Sequence, residues 1–319
     1  MPSLPKPSDY DSPWKEALER YFPQALEFLF PQIHAEIDWE RGWEFLDKEL
    51  QQVVRDAELG RRLVDKLVKV WQQDGSETWV LLHLEVQGKV ETSFAERMFI
   101  YHYRLRDRYN LPVVTLAVLA DKRVSWRPTG YTYSLWGCQV NLEFPMVKLL
   151  DYKSQLPELE QNPNPFSVIV IAHLQAQATR QKLEDRLQWK LRLVKGLYER
   201  GYGREDILEL FRFIDWVMAL PIELENQFDD ELSAFEEDRQ MPYVTSVERR
   251  AILRTTLKTR QDSITDALEV RFGAIPEAVV EQVTQLNDTD QLQALFKQAI
   301  LVESIDAFQK LLNESSSVQ

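Results

Sequence analysis

The stretch LVDKLVKVWQQDGSETWVLLHLEVQ, residues 63–87, holds two apolar, β-branched runs on either side of Asp74-Gly75. Runs of this kind flanking an Asp-Gly pair predict a β-hairpin, with 63–71 returning as 78–87. A three-residue loop, Asp74-Gly75-Ser76, sets opposite each other residues whose numbers sum to 150. Val64 then meets Val86, Val68 meets Leu82 and Val70 meets Val80, so these apolar side chains share one face. A two-residue loop sets Val68 against Leu81 and mixes the two faces, which cross-strand pairing disfavours. The three-residue register places Asp65 directly opposite Glu85. It leaves Lys66 as the one charge on the apolar face, opposite Leu84.

Outward from the hairpin, 14–30 and 40–58 read as helices, the second with Trp43, Phe45, Leu46, Leu50 and Val53 at helical spacing. Residues 92–109 read as a helix with Phe94, Met98, Tyr101, Leu105 and Tyr109 along one stripe. An apolar run of buried-strand type, VVTLAVLA, follows. Strand, helix, strand after a hairpin predicts an α/β domain. Residues 132–150 add further strand, and 151–165, with Pro157, Pro163 and Pro165, read as a connector ending in the helix-starting pair Asn164-Pro165. Beyond it the pattern is helical throughout: 165–177, 179–200, 204–219, 222–236, 244–259, 260–272, 276–286, 288–298 and 302–313, with Asp262, Thr265, Asn287, Asp288 and Ser304 as capping residues. The expected organisation is an α/β domain over 13–150, a helical extension over 165–240 and a helical domain over 244–319.

Composition narrows the chemistry. Ten glycines in 319 residues argue against Gly-rich phosphate loops, and a single cysteine, Cys138, excludes an intrachain disulfide and a Cys-rich zinc site. The N-terminus lacks the apolar core of a signal peptide, and no run reaches the length of a membrane span. The expectation is a cytoplasmic protein with no membrane partner and no small-molecule cofactor. Net charge is −13, which by itself disfavours nucleic acid, yet its distribution is uneven. Between 97 and 127, Arg97, Arg104, Arg106, Arg108, Lys122, Arg123 and Arg127 face only Asp107 and Asp121, a local charge of +5. Between 223 and 238 there are eight acids and no cation, which reads as a solvated face or as a stretch that mimics DNA or restrains the first half. The aromatics of the helical half read as core, and its amphipathic C-terminal helices as a candidate homodimer contact.

The residues able to do chemistry lie on the hairpin. Glu85 and Gln87 are two apart on one strand and share a face, and the register brings Asp65 to the same face. Three oxygen-bearing side chains among apolar neighbours suit a hard cation, Mg²⁺ or Mn²⁺, which could bind a phosphate oxygen and activate water. Glu49, on the preceding helix, is a candidate fourth acid, and His83 shares the Glu85 face. Arg97, Tyr101, Arg104 and Arg108 recur at helical spacing and could hold phosphate, with Tyr101 equally readable as core.

The order helix, Asp strand, Glu-x-Gln strand, Arg-bearing helix and apolar strand resembles the PD-(D/E)xK nuclease superfamily. Its recombination-promoting nuclease and transposase branch, common in bacteria, is resembled by 45–50 (FLDKEL), 64–70 (VDKLVKV), 83–88 (HLEVQG), 197–202 (LYERGY), 213–216 (FIDW) and 241–246 (MPYVTS). Residues 260–313, including Arg271-Phe272-Gly273, resemble a helical domain appended to such proteins. The resemblance implies a restriction-endonuclease-like core, a mixed sheet flanked by helices, followed by an all-helical half. It also implies Asp65 and Glu85 as metal ligands, DNA as substrate and a link to recombination or mobile elements. Gln87 stands where the superfamily usually has Lys: an amide can orient water but cannot bring positive charge to a transition state. The expected activity is a Mg²⁺-dependent DNA endonuclease. The rival is a nuclease-fold protein that binds DNA or assembles with protein without cleaving.

Overall fold

A computed structural model describes residues 11–46, 48, 50, 64–85, 93–239, 246–273, 275–286 and 289–316. The chain divides into two compact units, one ending at Glu225 and one beginning at Asn226.

The first unit is built on a mixed sheet. Helices α1 (Asp11–Arg20), α2 (Phe22–Leu29) and α3 (Pro31–Glu36) come first, with Pro23 and Pro31 in the opening turns of α2 and α3. Proline suits those positions because its missing N–H would have no partner there. Strands β1 (Glu44–Phe45), β2 (Val64–Trp71) and β3 (Glu77–Glu85) follow, then α4 (Phe94–Tyr109) and β4 (Val113–Leu119). A separate two-stranded hairpin, β5 (Gly130–Leu135) and β6 (Cys138–Glu143), precedes β7 (Met146–Lys148). The main sheet has the order β1-β2-β3-β4-β7, antiparallel on the β1 and β2 side and parallel from β3 to β7.

Two expectations are corrected by this sheet. Within 40–58, Glu44 and Phe45 are not helical but pair with Lys69 and Val68 as an edge strand. A Lys69–Glu44 ion pair and the Phe22–Phe45 ring contact at 5.8 Å hold it there. The hairpin register also differs: Asp65 pairs with His83, Val68 with Val80 and Val70 with Thr78, so paired numbers sum to 148. The loop does have three residues, but they are Gln73-Asp74-Gly75. Gly75 closes the turn with φ 85°, its N–H donating to the Gln72 carbonyl at 2.8 Å, and Gln72 N–H donates to Ser76 O at 2.8 Å. A left-handed residue is needed last in such a loop, and glycine supplies it. The slip is two residues, an even number, so every side chain keeps its expected face. Lys66, opposite Leu82, is 2 % exposed and ion-paired with Glu19 of α1, its ammonium 5.3 Å from the Phe45 ring centroid. Its charge is compensated where it lies.

Helix α4 covers one sheet face. Leu67 and Trp79 pack with Tyr101 and Leu105, while Ala117 and Leu119 pack with Phe94 and Met98. Tyr101 is therefore core. The connector is more ordered than its prolines suggest: a 3₁₀ segment, Leu149–Gln155, leads into α5 (Leu156–Gln161). In α6 (Pro165–Ala178) residues 166–176 are all buried, and Asn164 caps the helix by accepting the Phe166 N–H at 2.8 Å. Helices α7 (Leu183–Glu199) and α8 (Arg204–Val217) pack around it, with Trp14 of α1 edge-on to Phe166, His173 and Phe213. Buried Arg186 donates to the carbonyl of Ala176 at 2.9 Å, an acceptor in the last turn of α6 that the helix leaves unmatched, and to that of Ala219 at 3.0 Å, just past the end of α8.

Helix α9 (Ile222–Arg239) and α10 (Ser246–Phe272) come next. The latter is one continuous helix where breaks at 259/260 were expected. Nothing between those halves stops a helix, and Ser263 and Thr265 return their hydroxyls to the Thr259 and Asp262 carbonyls at 2.8 Å each. With α11 (Glu277–Gln285), α12 (Thr289–Leu301) and α13 (Ile305–Ser316) it encloses a core of Ile264, Leu268, Val283, Leu292, Phe308 and Leu312, among others. The apolar side of α13 is thus used within its own unit. Arg271 closes the end of α12, donating to the Ala299 and Val302 carbonyls at 2.6 Å each.

Candidate active site

The strand register sets the two acids on neighbouring rungs of the sheet. Asp65 pairs with His83, His83 with Ala117 and Ala117 with Met146; one rung on, Glu85 pairs with Leu119 and Leu119 with Lys148. Paired positions, and positions two apart, share a face, so Asp65 and Glu85 occupy the face that α4 covers. Both lie toward the carboxyl ends of the parallel strands β3 and β4. Ligands of open α/β sheets bind at that end. The diagonal relation of Asp65 to Glu85 replaces the direct opposition expected. Diagonal positions across an antiparallel pair are about 7–8 Å apart at Cα, a span that an aspartate and a glutamate can close onto one cation. Glu49 and Gln87 lie outside the described residues, as do the side chains of Asp65, His83 and Glu85. Among the described residues no group of three or more His, Cys, Asp or Glu side chains could hold a metal ion.

Helix α4 begins at the level of these rungs, because Phe94 and Met98 pack against Ala117 and Leu119. Arg97 is in that first stretch, 8 % exposed, with its guanidinium 5.7 Å from the Phe94 ring centroid. Arg104 is half-buried, and Arg108 is exposed, lying 5.7 Å from the Tyr109 ring centroid. At 1.5 Å rise per residue, Arg104 is about 10 Å and Arg108 about 16 Å along the axis from Arg97. The three cannot share one phosphate; only Arg97 belongs to the neighbourhood of the acids. His102, further along the helix, shares a hydrogen bond with Thr115 at 2.9 Å. Burial, and then the Arg106 charge, hold its imidazole below the usual histidine value.

Two residues that sequence reasoning does not single out stand on the same face. Lys148, on the Glu85 rung, forms a buried ion pair with Asp121, which follows β4. Lys148 also donates to the Trp126 carbonyl at 3.3 Å, and Asp121 accepts the Arg123 N–H at 2.7 Å. The pair fastens the 121–126 loop to the ends of β4 and β7. Neutral as a pair, it adds little net charge beside the acids. The available signal was a charge at the end of each of two apolar runs, VVTLAVLAD and FPMVK. Behind β4, fully buried His173 shares a hydrogen bond with the Ala120 carbonyl at 3.0 Å, and Gln177 donates to the same oxygen. Burial pushes the His173 imidazole down to about 4.

An open groove of 530 Å³ lies elsewhere, at the base of the β5–β6 hairpin, lined by Thr132, Asn141, Glu143 and Phe144 among others. Buried Lys190 of α7 is bonded to Asp215 and Glu225 at 2.7 Å each. That cluster ties α7, α8 and α9 together away from the sheet. No protein-family model, curated protein or solved structure matches the chain. No helix among the described residues is long and apolar enough to cross a membrane.

Proposed function

We propose that this chain is a metal-dependent DNA endonuclease with a restriction-endonuclease-like core, acting in recombination or on mobile elements. The observation that carries the reading is the placement of Asp65 and Glu85 on one face, one rung apart, on adjacent strands. Asp65 and Glu85 would hold Mg²⁺ or Mn²⁺. When bound, such an ion polarises a phosphoryl oxygen and lowers the pKa of an attacking water. Two carboxylates are a donor set that Mg²⁺ accepts, since it keeps most of its own water. Gln87 would orient the attacking water through its amide, and Arg97 would take the phosphate nearest the acids. Glu49 is the candidate for a further carboxylate.

A second reading has its own observation. Net charge of −13 repels DNA, and Gln87 brings no positive charge to the transition state. On this reading the protein keeps the same fold without cutting, and assembles with protein or binds DNA through the local basic zone at 97–127. One assay divides the two: supercoiled plasmid with Mg²⁺ or Mn²⁺, against the same reaction in chelator. Nicking by the wild type that falls at least about 100-fold in Asp65→Asn and Glu85→Gln is the expected outcome. Calorimetry with Mn²⁺ should show binding lost in the same variants. A wild type that nicks neither supercoiled, single-stranded nor branched DNA sinks the enzyme reading and leaves the binding one.

A further inference from the structure

The β5–β6 hairpin stands apart from the main sheet and is amphipathic. Its register pairs Tyr131 with Leu142, Tyr133 with Val140 and Leu135 with Cys138, so all six lie on one face. Thr132, Ser134, Gln139 and Asn141 lie on the other. The base of the apolar face is covered: Leu142 packs against the Phe94 cluster, and Tyr131 stacks on Phe99 of α4 at 5.1 Å and 21°. The outer half is open, with Tyr133 45 % and Leu135 48 % exposed. At the tip Trp136 is 98 % exposed and has φ 51°, beside Gly137 at φ 85°. A two-residue turn with positive φ at both positions favours Asn-Gly, and a bulky aromatic there is strained. Trp136 gains no packing in return for that strain.

What covers this face follows from its neighbours. Tyr103, Phe99 and Tyr131 form a row of near-parallel rings, the first pair at 6.3 Å and 18°, and Tyr133 lies two residues beyond Tyr131 on the same face of β5. Exposed Arg106 follows Tyr103 on the same side of α4, one turn on, and exposed Lys122 and Arg123 lead into the hairpin. From 97 to 148 the chain carries eight cations and three anions, within a chain of net charge −13. This stretch is thus one of the cationic stretches of an acidic protein, beside 249–260 with five cations and no acid, and it also presents open aromatic rings. A second copy is a poor fit. Trp136, Tyr133 and Leu135 together expose roughly 400 Å², taking ordinary side-chain areas, against about 800 Å² per partner in a stable dimer. Stacking needs only one or two rings and adjacent positive charge.

We propose that the β5–β6 hairpin is a stacking platform for unpaired nucleobases, which makes the preferred DNA single-stranded or locally opened. This rests on the nucleic-acid reading above and adds the class of DNA. The test is fluorescence anisotropy with a labelled single-stranded oligonucleotide and a duplex of equal length, on the full chain at fixed salt. Wild type should favour the single strand. Trp136→Asn and Tyr133→Ser should each weaken single-strand binding roughly tenfold, with little effect on the duplex. Trp136→Asn should fold at least as well as wild type, because it installs Asn-Gly at the turn. Cys138, the sole cysteine and exposed, gives a second readout: single-stranded DNA should slow its alkylation. Unchanged affinity in both variants, with plasmid nicking still lost in Asp65→Asn, overturns the platform and leaves the nuclease reading intact. No binding to either DNA by a wild type that also never nicks removes both. A change in oligomeric state, or in binding to neutral phosphatidylcholine vesicles, in place of the single-strand effect also overturns it.

Discussion

The β2–β3 hairpin turns through Gln73-Asp74-Gly75 and lies between two layers, whereas β5–β6 turns through Trp136-Gly137 and leaves half of one face in water. Both obey strict side-chain alternation, and both use positive φ at the turn. They differ in what each face meets. In the first, Leu67 on one face and Val68 on the other are fully buried. In the second, burial stops about halfway along the strands, past the Phe99 contact. An isolated two-stranded hairpin is marginal in water, so β5–β6 depends on its anchored base. Alternation therefore sets which residues share a face. Neighbouring layers decide whether that face becomes core or stays available.

The largest effect should separate the two hairpins by stability. Leu67→Ala removes a fully buried side chain beneath α4 and should cost about 3 kcal/mol, within the 2–5 kcal/mol usual for such truncations. Leu135→Ala should stay within about 0.5 kcal/mol, as exposed positions do. Urea unfolding of both variants gives the comparison directly. Equal losses would mean that the outer hairpin is packed, and the contrast would fail.

Acid should find the next difference, at the end of β4 that the main sheet shares with the candidate site. His173 clamps the Ala120 carbonyl, and burial puts its folded pKa near 4, below the ordinary 6.5. A base with a depressed folded value contributes stability fully above its unfolded pKa and loses it as pH falls. Stability should therefore fall from about pH 6.5 toward 4, by an amount on the order of 3 kcal/mol for a group this buried. His173→Gln should flatten that part of the profile in urea melts at pH 7 and pH 4.5. A profile as steep in the variant as in wild type would mean that other groups carry it.

Much of this was legible because alternation is a local property. VDKLVKVW and TWVLLHLE declare two strands whatever surrounds them, and the shared face of Asp65 and Glu85 follows from parity alone. Register was harder. Whether the loop begins at Gln73 or Asp74 depends on where Gly75 must be left-handed, and either choice keeps the faces intact. Glu44 and Phe45 misled because apolar residues at helical spacing also fit an edge strand held by Lys69 and Phe22. The Asp121–Lys148 pair was hidden for a different reason: 27 residues separate its members, and only the parallel pairing of β4 with β7 joins them. The open face of β5–β6 was equally hidden. Sequence reports that Tyr131, Tyr133 and Leu135 alternate with polar residues, not that nothing lies over two of them.

The smallest effects should have opposite signs at the two turns. At Gly75, φ is 85°, a conformation that costs an L-residue about 1 kcal/mol or more. An added Cβ would also meet the Arg41 guanidinium at 3.1 Å, but that is the end of a flexible side chain and can shift. Gly75→Ala should therefore lower stability by about 1 kcal/mol, chiefly through the backbone. At Trp136 the strain is already present, and Asn is among the residues that tolerate positive φ best. Trp136→Asn should raise stability by about 0.5–1 kcal/mol, or roughly 1–4 °C in Tm for a unit of this size. The sign is what matters. An indole resting on another part of the folded chain would leave a hole when removed, and melting would then come earlier than in wild type. Later melting together with weaker single-strand binding would show that Trp136 is kept at the tip for something other than the fold.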